Sequence, residues 1–340
     1  MSELRSSPSE PVSHWRGWVV LAVVAVIGLL LSLAIGAGGL SDSSMLSTFL
    51  RLRAGRAATS FVAGAALGLA GVLTQGLFRN PLASPSVLGT TAGASLGGVV
   101  ALVVGATWLP ATSLTWLPRD LLLPVGCLVG ALVALLVLLA VTRRNVGPVA
   151  LLLTGFILSS LFLSAGSLLL SVAQDTWQLG RAVVAFTLGG VDGKGVRHVA
   201  LALPFLVGGL VAAVGWRRHL DLLLSGDDEA RSLGVRVEVV RGWVIVWIAS
   251  LTAAAVSAGG SVSFVGLVVP HAMRPYFGHG HARLIPASLV GGGAFLMWAD
   301  VIARAIPTRG ELPLGVVTGF IGAPVFLALL LRDSKREVLA

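Results

Sequence analysis

Charge is scarce in this 340-residue chain: Asp, Glu, Lys and Arg make up only 11% of it, against about 25% in an ordinary soluble domain. That shortage excludes a conventional solvated surface. Cysteine is nearly absent, and the single Cys127 lies inside an apolar run. One thiol forms no internal disulfide and no thiolate metal cluster, so Cys127 reads as a small packing residue. A phosphate loop is missing too. The one Gly-Lys pair, Gly193-Lys194, is followed by Gly195 and has no glycine five positions upstream, so the chain carries no nucleotide-hydrolysing motor of that kind. The six histidines (14, 198, 219, 271, 279 and 281) make no His/Glu pair at zinc-site spacing, and His279 and His281 read as loop residues. No Ser/His/Asp set sits in a defined context. Catalysis is not indicated, and no cofactor or metal is expected on this chain.

What is abundant is hydrocarbon. The chain is 56% hydrophobic with a mean hydropathy of +0.93. Uncharged apolar runs of roughly 20 residues recur, the length a helix needs to cross a bilayer core, and the alternation of a membrane barrel is absent. The fold class is therefore an all-α polytopic membrane protein. The net charge of +9 comes from basic residues at the ends of apolar runs, where they orient helices, so nucleic acid is not a partner and membrane lipid is. Residues 1–15 read as a disordered cytoplasmic tail. The run Trp18 to Ile35 is too long for a signal-peptide core, so it is an uncleaved first helix.

Ten spans are predicted, near 17–36, 57–78, 86–106, 121–142, 149–172, 199–216, 242–258, 260–273, 284–304 and 312–331, within a single permease domain over 16–332. A further cytoplasmic tail is expected at 333–340. The difficult stretch is Gly242 to Met273. As one helix it would be about 48 Å long, and Gly259-Gly260 offers a break. Loop charge supports the break. With two spans and a cytoplasmic N-terminus, 15 of the 24 Lys and Arg fall inside and 9 outside; with one span the split is 12 to 12. Both termini are then cytoplasmic. The pairs Gly64/Gly68, Gly89/Gly93/Gly97, Gly126/Gly130 and Gly315/Gly319 suit close helix approach. Val183 to Gly195 reads as an outside half-helix and turn.

The densest charged island, 217–241, holds ten of the 39 charged residues (24 Lys and Arg, 15 Asp and Glu). Within it Ser225 to Val235 suits a short helix, with Asp227, Asp228 and Glu229 favoured at its N-terminus and Gly234 placed to end it. Asp300 and Arg304, four apart, share a helix face. They are either a mutually neutralising pair or an arginine offered to something outside. Arg51, Arg53 and Arg56 crowd the outer start of the second span, as snorkelling anchors or as a site for an acidic partner. Gln75, just before the polar break Arg79-Asn80-Pro81, either bonds between helices or lines a path. Glu311 and Pro313 suit the start of the last span.

Five separated segments carry a resemblance. RAGRAATSFVAGAALGLAGVLTQGLFRNPLASPSVLGTTAGA (53–94), SGDDEARSLGV (225–235), SFVGLVVPHAMR (263–274), ADVIAR (299–304) and ELPLGVVTGFIGAPVFLALLLR (311–332) resemble, in order, the iron-siderophore and cobalamin importer permeases of the ATP-binding-cassette (ABC) superfamily, the FecCD/BtuC-like family. The resemblance implies a type II ABC importer permease fold of ten helices per subunit in a bacterial inner membrane. It implies a homodimer or a pair with a sister permease, two ATPase subunits inside that use ATP and Mg, and a solute-binding protein outside. The cargo would be a ferric siderophore or similar chelate, with cobalamin or haem as alternatives. Carried onto this chain, it gives ATPase coupling to Asp227, Asp228, Glu229, Ala230, Arg231, Ser232, Leu233 and Gly234, and binding-protein docking to Arg53, Arg56 and Arg304. The path or gate would involve Gln75, Asn80, Pro81, Asn145, Gly147 and Pro148. The family's Arg-Leu-Pro-Arg is Arg53-Ala54-Gly55-Arg56 here, its Trp before the outer turn is Phe186, and the 145–149 stretch is not family-typical. A secondary transporter or channel is the rival class; it needs an ionisable residue deep in a span, for which Asp300 is the one fair candidate. A membrane enzyme ranks third.

Overall fold

The structure, a computed structural model, describes residues 14–36, 45–107, 119–142, 148–174, 176–306 and 311–338. Among them are twelve helices and no strands: α1 (His14–Ala34), α2 (Leu46–Phe78), α3 (Thr90–Thr107), α4 (Arg119–Thr142), α5 (Pro148–Ala173), α6 (Trp177–Leu188), α7 (Val196–Leu224), α8 (Asp227–Ser232), α9 (Val237–Gly259), α10 (Val265–Phe277), α11 (His281–Ala305) and α12 (Leu314–Val338). The ten predicted spans correspond to these helices less the short α6 and α8. Eight of the ten are long and apolar enough to cross a membrane, while α10 has 13 residues and the apolar part of α12 is Leu314–Leu329. α12 continues through 333–338, the stretch expected as a tail.

Two helices overrun their predicted limits. α2 begins at Leu46 and runs for 33 residues, about 50 Å, so Arg51, Arg53 and Arg56 lie on its first turns instead of ahead of it. α7 continues through Arg217, Arg218 and Asp221 to Leu224. A helix need not end where the hydrocarbon does; it ends where the backbone turns, here at Gly226, whose φ is 125°.

The break between α9 and α10 is real and lies at 260–264. Non-helical backbone at membrane depth must find its hydrogen bonds within the protein. Ser261 donates to the carbonyl of Phe186 (3.2 Å), Gly190 donates to that of Gly259 (2.8 Å), and Leu314 donates to that of Gly189 (3.0 Å). The half-helix α6 and its turn thus satisfy the broken segment and the start of α12 together.

α2 is the most enclosed of the long apolar helices, buried almost without interruption from Thr59 to Leu77. It packs against α7, α9, α10 and α11, and glycines make that possible. A Cβ on Gly64 would sit 2.2 Å from the carbonyl oxygen of Gly292, and one on Gly71 would sit 2.0 Å from that of Gly266. The same device joins α3 to α4, where Gly97 faces Gly126. Such backbone contact is how helices associate in lipid, where apolar side chains gain nothing by leaving one hydrocarbon for another. Gly315 and Gly319 do not form a matching pair: Gly315 abuts the carbonyls of Leu188 and Ser261, and Gly319 has nothing within 4 Å. Gly71→Val is therefore expected to abolish folded, detergent-extractable protein, and Gly319→Ala to leave the yield and melting temperature near wild type in size-exclusion and thermal-shift assays.

Candidate functional site

Polar side chains gather at the two ends of the bundle. At one end α8 spans Asp227–Ser232, with Leu233 and Gly234 just beyond it; Gly234 has a φ of 84° and turns the chain toward α9. The eight residues of this stretch do different work. Ala230 is fully buried and seats the helix, while Asp228, Glu229, Ser232, Leu233 and Gly234 are exposed. Leu233 is 59% exposed, an apolar knob on a charged turn. Arg231 bonds Asp228 at 3.0 Å and Glu238 at 2.7 Å, which ties α8 to α9. Asp227 is held by Arg79 at 3.2 Å and Arg241 at 2.8 Å. The outward face of α8 is thus acidic and apolar, and its inward face is anchored.

Beside α8 lies a cavity of about 390 Å³ lined by Gln75, Arg79, Asn80, Pro81, Arg274 and His281 among others. Gln75 is buried and makes the interhelical bonds expected of it. Its amide nitrogen donates to the carbonyl of Leu267 (3.5 Å) and its oxygen accepts from Arg274, joining α2 to α10, and it also lines the cavity. Asn80 is buried, and its Oδ1 accepts the backbone N–H of Leu82 at 2.9 Å, which folds the loop after α2 back on itself. Pro148 opens α5; Asn145 and Gly147 lie outside the described residues.

One pair here is invisible from sequence spacing. Asp221 Oδ1 accepts both the backbone N–H of His281 (3.0 Å) and its ring Nδ1 (2.6 Å). His281 is thus the buried first residue of α11 and not a loop residue. A carboxylate from α7 supplies the negative charge that the N-terminus of α11 favours.

At the opposite end the three arginines assigned to docking turn inward. Arg53 is 6% exposed and donates to the carbonyls of Leu33 (2.9 Å), Ala34 (3.0 Å) and Gly36 (3.0 Å). Arg304 donates to the Ser32 hydroxyl at 2.9 Å and to the carbonyl of Ile35. Both therefore satisfy the orphaned carbonyls at the C-terminus of α1. This geometry differs from that of exposed docking charges. Asp300 is 1% exposed and is shared between Arg56 (2.8 Å) and Arg304 (2.9 Å). Arg56 in turn reaches Glu311 at 2.6 Å and Asp192 at 3.5 Å. Glu311, expected only to favour the start of α12, is a member of this ion cluster. The solvent-facing charges here are the carboxylates: Asp192 is 83% exposed and Glu311 39%, against 13% for Arg56. Among the described residues no group of three or more His, Cys, Asp or Glu side chains is placed to hold a metal ion.

This arrangement has known relatives. The profile of the FecCD transport family matches residues 14–332. The chain belongs to that family. It is 41% identical over 270 residues to the Fe(3+) dicitrate transport system permease protein FecD of Escherichia coli, covering 79% of this chain and 80% of FecD. The cobalamin import system permease protein BtuC of Halobacterium salinarum is 36% identical, with 82% of this chain and 70% of BtuC aligned. The hemin transport system permease protein HmuU of Yersinia pestis is 34% identical, with 87% of each chain aligned. Among solved structures, an inward-facing ABC transporter assigned to the metal-chelate type superposes with a TM-score of 0.78 at 29% identity, over 94% of this chain and 99% of that one. The chain is a permease of the ABC importer class, and the relatives are named for iron dicitrate, cobalamin and hemin.

Asp300 is the keystone of the ion cluster it shares with Arg56 and Arg304. Asp300→Asn leaves two guanidinium groups in a low-dielectric site without their shared counter-charge, a loss of about 3–5 kcal/mol for breaking a buried pair. The expected result is a sharp fall in folded yield and melting temperature, measured in detergent. Asp192→Asn, at the exposed rim, is expected to change stability by about 0.5 kcal/mol or less.

Proposed function

We propose that this chain is the membrane subunit through which an ABC importer carries a ferric siderophore or similar ferric chelate into the cytoplasm. The α8 end faces the cytoplasm in this reading, because that side collects the larger share of Lys and Arg. The chain sits in a bacterial inner membrane and pairs with a second permease, either a copy of itself or a sister subunit. Two ATPase subunits bind the α8 end and use ATP with Mg. A solute-binding protein docks on the opposite face.

The observation that carries the reading is α8 itself. It is a short helix seated on α7 and α9, anchored on one side through Ala230, Asp227 and Arg231 and exposed on the other through Asp228, Glu229, Ser232 and Leu233. A helix so mounted transmits force without needing chemistry of its own. ATP binding by the partner moves α8 and shifts the population between inward-open and outward-open bundles, through contacts that differ between the two states.

On the outer face, docking engages Arg56, whose rim partners Glu311 and Asp192 are exposed carboxylates that an incoming acidic side chain can replace. Arg53 and Arg304 shape that surface from below by holding the end of α1. Iron leads among cargoes because FecD shares 41% of aligned residues with this chain. Cobalamin and haem are the alternative cargoes, after the import systems for which relatives of similar coverage are named.

Two experiments test this. In proteoliposomes containing the co-purified ATPase and binding protein, Glu229→Arg together with Leu233→Asp should cut ATP-dependent uptake by about tenfold or more, with membrane insertion intact. Uptake at the wild-type rate would remove α8 from the coupling role. Uptake of ferric dicitrate, cobalamin and haem, compared side by side, should favour the ferric chelate; preferential uptake of either of the others would reassign the cargo.

A further inference from the structure

Arg79 closes α2 in a conformation that a side chain disfavours. Its φ is 50° and its ψ is 34°, the left-handed region, where glycine or asparagine ordinarily ends a helix. Its N–H bonds to the carbonyl of Gly76 at 3.4 Å, and the N–H of Asn80 bonds to that of Gln75 at 3.2 Å. Glycine would make the same closure without a Cβ in the way. What arginine adds is a guanidinium, and its Nη2 lies 3.2 Å from Oδ1 of Asp227, the first residue of α8.

The pair is poorly explained by stability. Arg79 is 39% exposed and Asp227 23%, and ion pairs this wet contribute little. Strain retained at a site that gains little stability points to a role in function. Its position supplies that role. α8 packs on α7 and α9, its chain neighbours, and is tied to α9 through Arg231–Glu238 and Asp227–Arg241. Through Arg79 it is tied as well to α2, which is distant in sequence. Directly after Arg79 come Asn80 and Pro81, which line the cavity with it and begin the loop to α3 that the Asn80 side chain holds in shape.

We propose that Arg79 is a positioning residue that passes displacement of α8 to the end of α2 and to the loop following it. The proposal rests on the reading of α8 as the ATPase contact. Arg79 acts through Asp227, so that a shift of α8 by its partner pulls directly on the end of α2.

The test uses the complete transporter in proteoliposomes, with whichever of ferric dicitrate, cobalamin or haem the wild type takes up. Arg79→Gly suits the left-handed backbone, so the melting temperature should hold or rise, while uptake per ATP hydrolysed should fall roughly tenfold because the link between α8 and α2 is cut. Arg79→Lys, which keeps the charge, should recover most of that ratio even though it keeps the strained backbone. A purely structural cap predicts the reverse ranking, with glycine at least as good as arginine. In parallel, Ser232→Cys is cross-linked to the ATPase in both backgrounds. A normal cross-link together with an unchanged uptake ratio in Arg79→Gly would overturn the role of Arg79 and leave α8 as the contact. No cross-link in either background would overturn the α8 reading, and this proposal with it.

Discussion

Close backbone contact along α2 is the constraint on which the rest of the bundle depends. In lipid, apolar side chains have no water to escape, so helices hold together by packing density and by polar contacts. At Gly64, Gly68 and Gly71 the neighbouring carbonyls of α11 and α10 occupy the space where a Cβ would stand. With α7 and α9 on its other sides, α2 has little room to bend or rotate independently. It behaves as a rod of about 50 Å, and the groups that matter sit at its two ends.

At one end Arg53 and Arg56 point into the protein. Arg53, with Arg304, finishes α1, and Arg56 shares Asp300 with Arg304. In the proposed orientation these arginines lie on the side that the positive-inside tendency disfavours, and the carbonyls and carboxylate bonded by Arg53, Arg56 and Arg304 are what hold them there. The same arrangement weakens the case for an ion-coupled secondary transporter. Among the described residues Asp300 is the one buried carboxylate, and it is already bonded by two arginines. At the other end Arg79, held in a left-handed backbone, connects α2 to α8. One rigid helix thus carries contacts to both faces.

Much of this was legible in the sequence because membrane helices are written in composition. The spans, the break at Gly259-Gly260, the half-helix before Gly195 and the short helix in the charged island all follow from run length, glycine and charge placement. Helix ends were less legible. α2 and α7 overran their apolar segments because polar residues such as Arg53 and Asp221 find partners on neighbouring helices, and composition does not show where such partners are. Direction was the hardest feature to read. Asp300 and Arg304 gave away their shared face by spacing, but nothing local to Arg53 says that it reaches back to Leu33 and Ala34. The Asp221–His281 and Arg79–Asp227 pairs join residues 60 and about 150 positions apart; an alignment could suggest such pairs through covariation, but a single sequence does not. Which face of α8 is exposed was not legible either: the sequence assigned all of 227–234 to coupling, and the structure buries Ala230.

The central claim is that force from a separate ATPase enters this chain at α8. Spin labels at Ser232 on the two permease subunits of the assembled transporter, measured by pulsed dipolar spectroscopy in the nucleotide-free and ATP-bound states, test it most directly. The account predicts that the distance between the labels differs between the two states, and that the difference disappears when the ATPase is omitted. Identical distances with and without ATP, in a transporter that is actively taking up cargo, would contradict it.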